Sequence, residues 1–155
     1  VSTLFPYTTL FRSRTFMKSL ADCPFRAADR GLDEMREQAA VLIVDFHAEA
    51  TSEKVAMGWY LDGRASAVLG THTHVPTADE CVLPQGTAYQ SDVGMVGARF
   101  SVLGRDIKPV LQRFSTGMPA RFTVAGPPIR LCATVVTVGA DGKATAIERL
   151  VRDTE

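Results

Sequence analysis

Cysteine is scarce and unpatterned in this chain: Cys23, Cys81 and Cys132 are widely spaced, odd in number and form no C-x-x-C pair. That argues against a disulfide framework and against a zinc knuckle, and a reduced, cytoplasmic setting is the expectation. Net charge is lacking too. Seventeen lysines and arginines balance seventeen aspartates and glutamates, so no global field favours nucleic acid or an anionic membrane as partner. No apolar run is long enough to span a bilayer, and no membrane partner is expected. Histidine is almost absent. There are three, all within two short runs, Asp45-Phe46-His47-Ala48-Glu49 and Gly70-Thr71-His72-Thr73-His74-Val75. The rest is ordinary: 155 residues, 46% hydrophobic and 22% charged, suffice for one domain with a real core.

The opening of the chain differs in character from the rest. Thr3 to Ser13, T-L-F-P-Y-T-T-L-F-R-S, matches the in-frame translation of a common short-read sequencing adapter, and the first residue is Val1 rather than methionine. Residues 1–13 are therefore read as an assembly scar and set aside from the fold. An apolar N-terminal strand and a signal peptide are the alternatives; no small-residue cleavage pattern supports the second. On this reading residues 14–155 are the C-terminal portion of a single domain whose N-terminal part is missing.

Periodicity organises the remainder. Leu32, Met35 and Ala39 recur at helical spacing within a helix expected over Phe25 to Gln38. Val41 to Phe46 reads as a buried strand. Thr51 or Ser52 is the expected cap of a second helix, with Glu53 in its first turn. Val55 with Trp59, and Ala56 with Tyr60, share faces of that helix, and Asp62-Gly63 closes it. Ala65 to Leu69 is the next strand. Strand, helix, strand in so short a span predicts a βαβ unit with parallel strands. Beyond it, Pro84-Gln85-Gly86 turns a hairpin, and Asp92 to Gly97 is a glycine-punctuated loop. Asp106 caps a helix over Ile107 to Thr116 that Gly117 ends. Arg121 to Ala125 is expected as strand. Arg130 to Val138 and Ala144 to Val151 form a hairpin with Asp141-Gly142 at its tip.

Both histidine runs follow predicted strands, so His47 and His72 fall at the carboxyl edge of an α/β sheet, where ligands bind. Imidazole is the commonest ligand for transition metals. If the second run is extended, His72 and His74 point to one side and Thr73 to the other. One metal, or two about 3.5–4 Å apart, could then be served. A single histidine is more often a hydrogen-bonded structural residue than a ligand; a pair at a strand end is harder to explain that way. Three-histidine mononuclear zinc stays open. A dinuclear site also needs a bridging carboxylate. Asp45, Glu49, Asp79 and Asp92 are near enough in sequence, although such acids more often orient a ligand imidazole from behind.

The segments Asp45-Phe46-His47-Ala48-Glu49-Ala50-Thr51-Ser52-Glu53-Lys54, Gly70 to Val75, and Ser91-Asp92-Val93-Gly94-Met95-Val96-Gly97 resemble the bacterial YmdB-like metallophosphoesterases. These are a branch of the calcineurin-like superfamily associated with 2′,3′-cyclic-nucleotide 2′-phosphodiesterase activity. Arg14-Thr15-Phe16-Met17 also resembles a segment midway along that family. The resemblance implies the C-terminal part of a four-layer α-β-β-α sandwich. It implies a dinuclear site for two divalent ions (iron, manganese or zinc), with His47 and His72 on one and His74 on the other. From their place in the sequence rather than from the resemblance, Asp45, Glu49 and Asp92 are the candidates to stand behind these ligands, helix capping being their other expected role. The substrate implied is a small phosphodiester such as a 2′,3′-cyclic nucleotide, and a homo-oligomer is compatible with it. The family's remaining ligands, an aspartate, a bridging glutamate and asparagines, and its proposed general-acid histidine belong to its N-terminal half. None has a counterpart here, so the catalytic residue is unknown and this chain alone is expected to be inactive. A metal-binding regulatory or signalling module without turnover is the main alternative. An amidohydrolase-type enzyme, which also uses an H-x-H pair, ranks last because too little chain follows for eight β/α units.

Overall fold

A computed structural model describes residues 7–12 and 22–154 of the chain. In chain order the elements are β1 (Tyr7–Arg12), α1 (Pro24–Met35), β2 (Leu42–His47), α2 (Thr51–Tyr60), β3 (Ala67–Thr71), β4 (Cys81–Val82), β5 (Ala88–Gln90), β6 (Val96–Ala98), α3 (Ile107–Thr116), β7 (Ile129–Val138) and β8 (Ala144–Asp153). The βαβ expectation holds. β2 and β3 lie side by side in parallel, Ile43 beside Ala67 and His47 beside Thr71, with α2 between them in sequence. β5 continues the parallel sheet and β4 closes it antiparallel, giving the order β1-β2-β3-β5-β4. β6, β7 and β8 make a second, antiparallel sheet.

Two apolar interfaces hold the layers. On one face of the first sheet, Leu42, Val44 and Phe46 of β2 and Val68 of β3 pack against Ala28 and Leu32 of α1 and Met57 of α2. Gly58 lets α2 come close: a Cβ there would lie 2.5 Å from the Tyr89 ring. On the other face, Ile43, Ala67, Leu69 and Ala88 meet Val136, Ala144 and Ile147 of the second sheet. The chain is thus a mixed α/β fold. Its described residues make three layers: helices, sheet, sheet. The fourth, helical layer expected over the second sheet is not formed among them. α3 buries only Val110 and leaves Phe114 76% exposed, and Val96 on β6 is 62% exposed.

Several expectations are corrected. Residues 7–12, set aside from the fold for their match to a sequencing-adapter translation, form β1 and pair along the whole of β2, from Tyr7 beside Leu42 to Arg12 beside His47. Aromatic and threonine residues favour strands, and the β2 edge offers unpaired main-chain groups to such a segment. The segment Arg14 to Met17, and residues 1–6 and 13, lie outside the described residues. α1 stops at Met35 rather than Gln38, and beyond it the Gln38 N–H turns back only three residues, to the Met35 carbonyl, in a tightened turn. α2 is capped by Ala50 without a side-chain bond, so neither Thr51 nor Ser52 is the cap. Its inward residues are Lys54, Met57 and Gly58; Val55, Trp59 and Tyr60 face solvent. Asp106 does stand at the N-terminus of α3, but its carboxylate accepts from the Thr123 hydroxyl instead of a helix N–H. Arg121 to Ala125 is not a strand. Val124 makes one isolated bridge with Arg105, and Gly126-Pro127-Pro128 cuts short any longer ladder. No helix among the described residues is long and apolar enough to cross a membrane.

Candidate metal centre

The register of β2 and β3 determines which side chains meet. His47 and Thr71 are direct neighbours at the carboxyl ends of the two strands. Asp45 lies two residues before His47 and so shares its face. The Thr71 hydroxyl donates to Asp45 Oδ1 at 2.9 Å, and the same oxygen is 3.0 Å from His47 Nδ1. A hydroxyl carries one proton. With that proton directed at the carboxylate, the oxygen can only accept from the ring, which assigns His47 as the Nδ1–H tautomer with a lone pair on Nε2.

That lone pair points at the next histidine. His47 Nε2 and His72 Nδ1 are 3.2 Å apart, and the ring planes cross at 76°. The spacing accommodates one N–H···N hydrogen bond donated by His72. It also matches two nitrogens held at about 2.0–2.1 Å from a shared cation, which lie about 3.2 Å apart when they subtend roughly 100°. The pair therefore fits one transition-metal ion as two neighbouring ligands. Among the described residues, however, no group of three or more histidine, cysteine, aspartate or glutamate side chains converges to hold an ion.

His74 stands apart from this pair, and the reason is conformational. The extended alternation expected for the second run does not occur, because His72 and His74 have φ of 139° and 67°. Positive φ is rare outside glycine. Here it is imposed from below by Asp92. That carboxylate accepts from the Thr73 N–H at 2.8 Å and the Gly94 N–H at 3.0 Å, and pairs with the Lys54 ammonium at 2.9 Å. Lys54 and Asp92 are 2% and 1% exposed, so the ion pair is sealed from water. Burial pushes the Asp92 carboxyl up; hydrogen bonds from Lys54 and the two N–H groups outweigh it and hold the group below the ordinary carboxylate range. Gly70 lets this arrangement close. A Cβ at that position would lie 1.9 Å from the Ser91 carbonyl oxygen, immediately before Asp92.

The acids named from sequence divide accordingly. Asp45 stands behind His47 through Thr71, and Asp92 fixes the turn that carries His72 and His74. Asp79 accepts the Ser91 N–H. Burial raises its pKa and the bonds from Ser91 and Thr77 lower it further than that, for a net downward shift. Glu49 is exposed. Sequence reasoning missed Thr71, Lys54 and Gly70. Lys54 had a signal, since it falls at helical spacing with the buried Met57 and Leu61. Thr71 had none, because strand register is what makes it the neighbour of His47.

His74 lines a separate concavity of about 210 Å³, with Met95, Ala98, Leu103 and Cys132 among its walls. It opens on the same loop that carries His72.

Comparison with known proteins agrees with these segments. The profile of the YmdB-like protein family matches residues 8–150. The 2′,3′-cyclic-nucleotide 2′-phosphodiesterase of Bacillus subtilis is 50% identical over 141 residues, which is 90% of this chain and 53% of that enzyme. The crystal structure of a hypothetical protein from Thermus thermophilus superposes with a TM-score of 0.89 at 48% identity, covering 100% of this chain and 60% of the other. A novel phosphatase from Mycoplasma pneumoniae gives a TM-score of 0.83 at 30% identity, over 97% of this chain and 56% of that one. The chain thus spans about half the length of the curated relative that it matches.

Proposed function

Because the chain belongs to the YmdB-like protein family, we propose that it carries part of the centre of a metal-dependent phosphodiesterase acting on small phosphodiesters such as 2′,3′-cyclic nucleotides. The observation that carries this reading is the convergence of His47 Nε2 and His72 Nδ1 at the carboxyl edge of parallel strands. The name of the Bacillus subtilis relative supports the substrate class.

In this reading His47 and His72 hold one divalent ion and His74 serves a second, iron, manganese or zinc being compatible with imidazole. Such ions, when bound, neutralise phosphodiester charge and activate water. The chain's own residues do the positioning. Thr71 and Asp45 fix the His47 tautomer and the direction of its Nε2. Lys54 and Asp92 hold the turn that presents His72 and His74. The further donors and the acid that protonates the leaving ribose oxygen come from outside the described residues.

Zinc titration calorimetry on the chain tests the binding half. One ion should bind, and His47→Ala and His72→Ala should each weaken it at least tenfold. The catalytic half is tested by joining the chain to the N-terminal part of a full-length relative. Hydrolysis of 2′,3′-cyclic AMP and of bis(p-nitrophenyl) phosphate with manganese or iron is then measured. Turnover that survives His72→Ala together with His74→Ala would falsify the assignment.

A further inference from the structure

We propose that the concavity between His74 and Leu103 is the subsite for the organic half of the substrate, taking a single aromatic ring system such as a nucleobase. The proposal rests on the phosphodiesterase reading and adds to it the location of the base, which stays joined to the phosphate through ribose when the cyclic diester opens.

Backbone strain is the first argument. Among the described residues three non-glycine residues have positive φ: His72 at 139°, His74 at 67° and Leu103 at 49°. His72 lies against His47, and the other two line this concavity. Strained residues persist only where the surroundings over-determine them, and they gather at ligand clamps. Leu103 is a clear case. Val102 and Arg105 exchange both main-chain hydrogen bonds, 2.9 and 3.0 Å, so Leu103 and Gly104 form a two-residue turn. Asparagine or aspartate followed by glycine is the usual choice for such a turn. Leucine is poorly suited to it and is 51% exposed. As an apolar lip over a pocket, the same residue has a purpose.

Shape and chemistry give the ligand class. Met95, Ala98 and Cys132 form an apolar wall, and a thioether packs well against an aromatic ring. The volume, about 210 Å³, is below the roughly 300–1,000 Å³ of pockets that enclose a whole drug-sized ligand. It suits one ring system, with ribose and phosphate outside. On the rim, Arg99 and Arg130 both pair with Asp153, at 3.0 and 2.7 Å. Two cations and one anion leave one positive charge beside a phosphodiester that carries one negative. The Ser101 hydroxyl already donates to the Ala98 carbonyl and accepts from the Gly104 N–H, so little remains to read base edges. Purine and pyrimidine 2′,3′-cyclic nucleotides should therefore bind within about tenfold of each other.

The test titrates the chain, in excess zinc, with 2′,3′-cyclic AMP and separately with ethylene phosphate, the same cyclic diester without a nucleoside. Binding is followed by calorimetry and by the ¹³C-methyl resonance of Met95. Cyclic AMP should bind at least tenfold more tightly than ethylene phosphate and should move the Met95 methyl, which ethylene phosphate should not. Leu103→Gly, which relaxes the turn and removes the lip, and Met95→Ala should each bring the ratio of the two affinities toward one. Equal affinities in the unaltered chain, a ratio unchanged in both variants, or a still Met95 methyl overturns the subsite and leaves the proposed metal centre standing. If neither diester binds, the subsite is overturned, since its walls lie wholly within this chain, while the phosphodiesterase reading is decided by turnover of the chain joined to a relative's N-terminal part.

Discussion

At the amino ends of the parallel strands, buried polar side chains bond to main chain. The Ser66 hydroxyl accepts from the Leu42 N–H and donates to the Gly142 carbonyl. The Thr87 hydroxyl accepts from the Gly63 N–H and donates to the Ala65 carbonyl, and Asp62 accepts from the Gln85 N–H. At the carboxyl ends, polar side chains bond main chain as well, as Asp92 does, but they also bond to one another: Asp45 to Thr71, Thr71 to His47, His47 to His72, Lys54 to Asp92. The turns differ in the same sense. Gly63, Gly86 and Gly142 take positive φ at one end; at the other Gly94 does so too, but so do two histidines. The amino end uses its polar groups to satisfy backbone that folding would otherwise leave unpaired. The carboxyl end carries a side-chain relay and a strained turn that folding alone does not need, and the proposed metal centre would account for that surplus.

Removing one charge of the buried pair should produce the largest effect. Lys54→Met leaves Asp92 uncompensated and should cost about 3–5 kcal/mol in urea denaturation. A loss below about 1 kcal/mol would show that the ion pair is as replaceable as an amino-end bond. The same carboxyl sets an acid limit. Its native pKa lies below the unfolded value of about 3.9, so its contribution is complete above that value and is lost as pH falls through the depressed native one. Asp92→Asn should remove this acid-dependent component.

Ser66→Ala should cost about 1–3 kcal/mol, because it strips partners from two main-chain groups, and should leave zinc affinity unchanged. A weakened zinc isotherm would break the division of labour between the two ends. Thr71→Val should do the reverse. Stability changes by about 1 kcal/mol, while zinc affinity falls about 10–100-fold and Thr71→Ser restores it. ¹⁵N-coupled spectra of His47 should show Nδ1–H in the unaltered chain and a mixed tautomer in the valine variant; an unmoved tautomer contradicts the relay. The smallest effect is a gain. His74→Gly relieves a strained φ and should raise stability by about 1 kcal/mol, where Gly142→Ala at the other end should lower it, as read by thermal unfolding.

Much of this fold is legible in the residues themselves. Apolar runs mark β2 and β3, the interval between them marks α2, and the two histidine runs fall at their carboxyl ends as expected. Gly117 ends α3 in the left-handed conformation, and the Asp141-Gly142 hairpin tip is in place. What the residues do not reveal is non-local. Thr71 becomes the partner of His47 only through strand register, and Asp92 reaches Thr73 and Lys54 across the turn and the helix. Local pattern fails for His72 and His74 for the same reason, since a distant carboxylate bends a run that reads as extended. β1 is not read as part of the fold because its segment matches an adapter translation, and its pairing with the β2 edge is non-local.

Gly70 sits in mid-sheet, touches no ligand and has no chemistry of its own. Yet a single methyl group there would collide with Ser91, and Ser91 is bonded in sequence to the carboxylate on which the turn depends. If the proposed metal centre holds, mutational drift at this quiet position would register as a defect in cation capture some residues away. A screen for inactive variants would then recover it beside the imidazoles, with nothing in its identity to explain why.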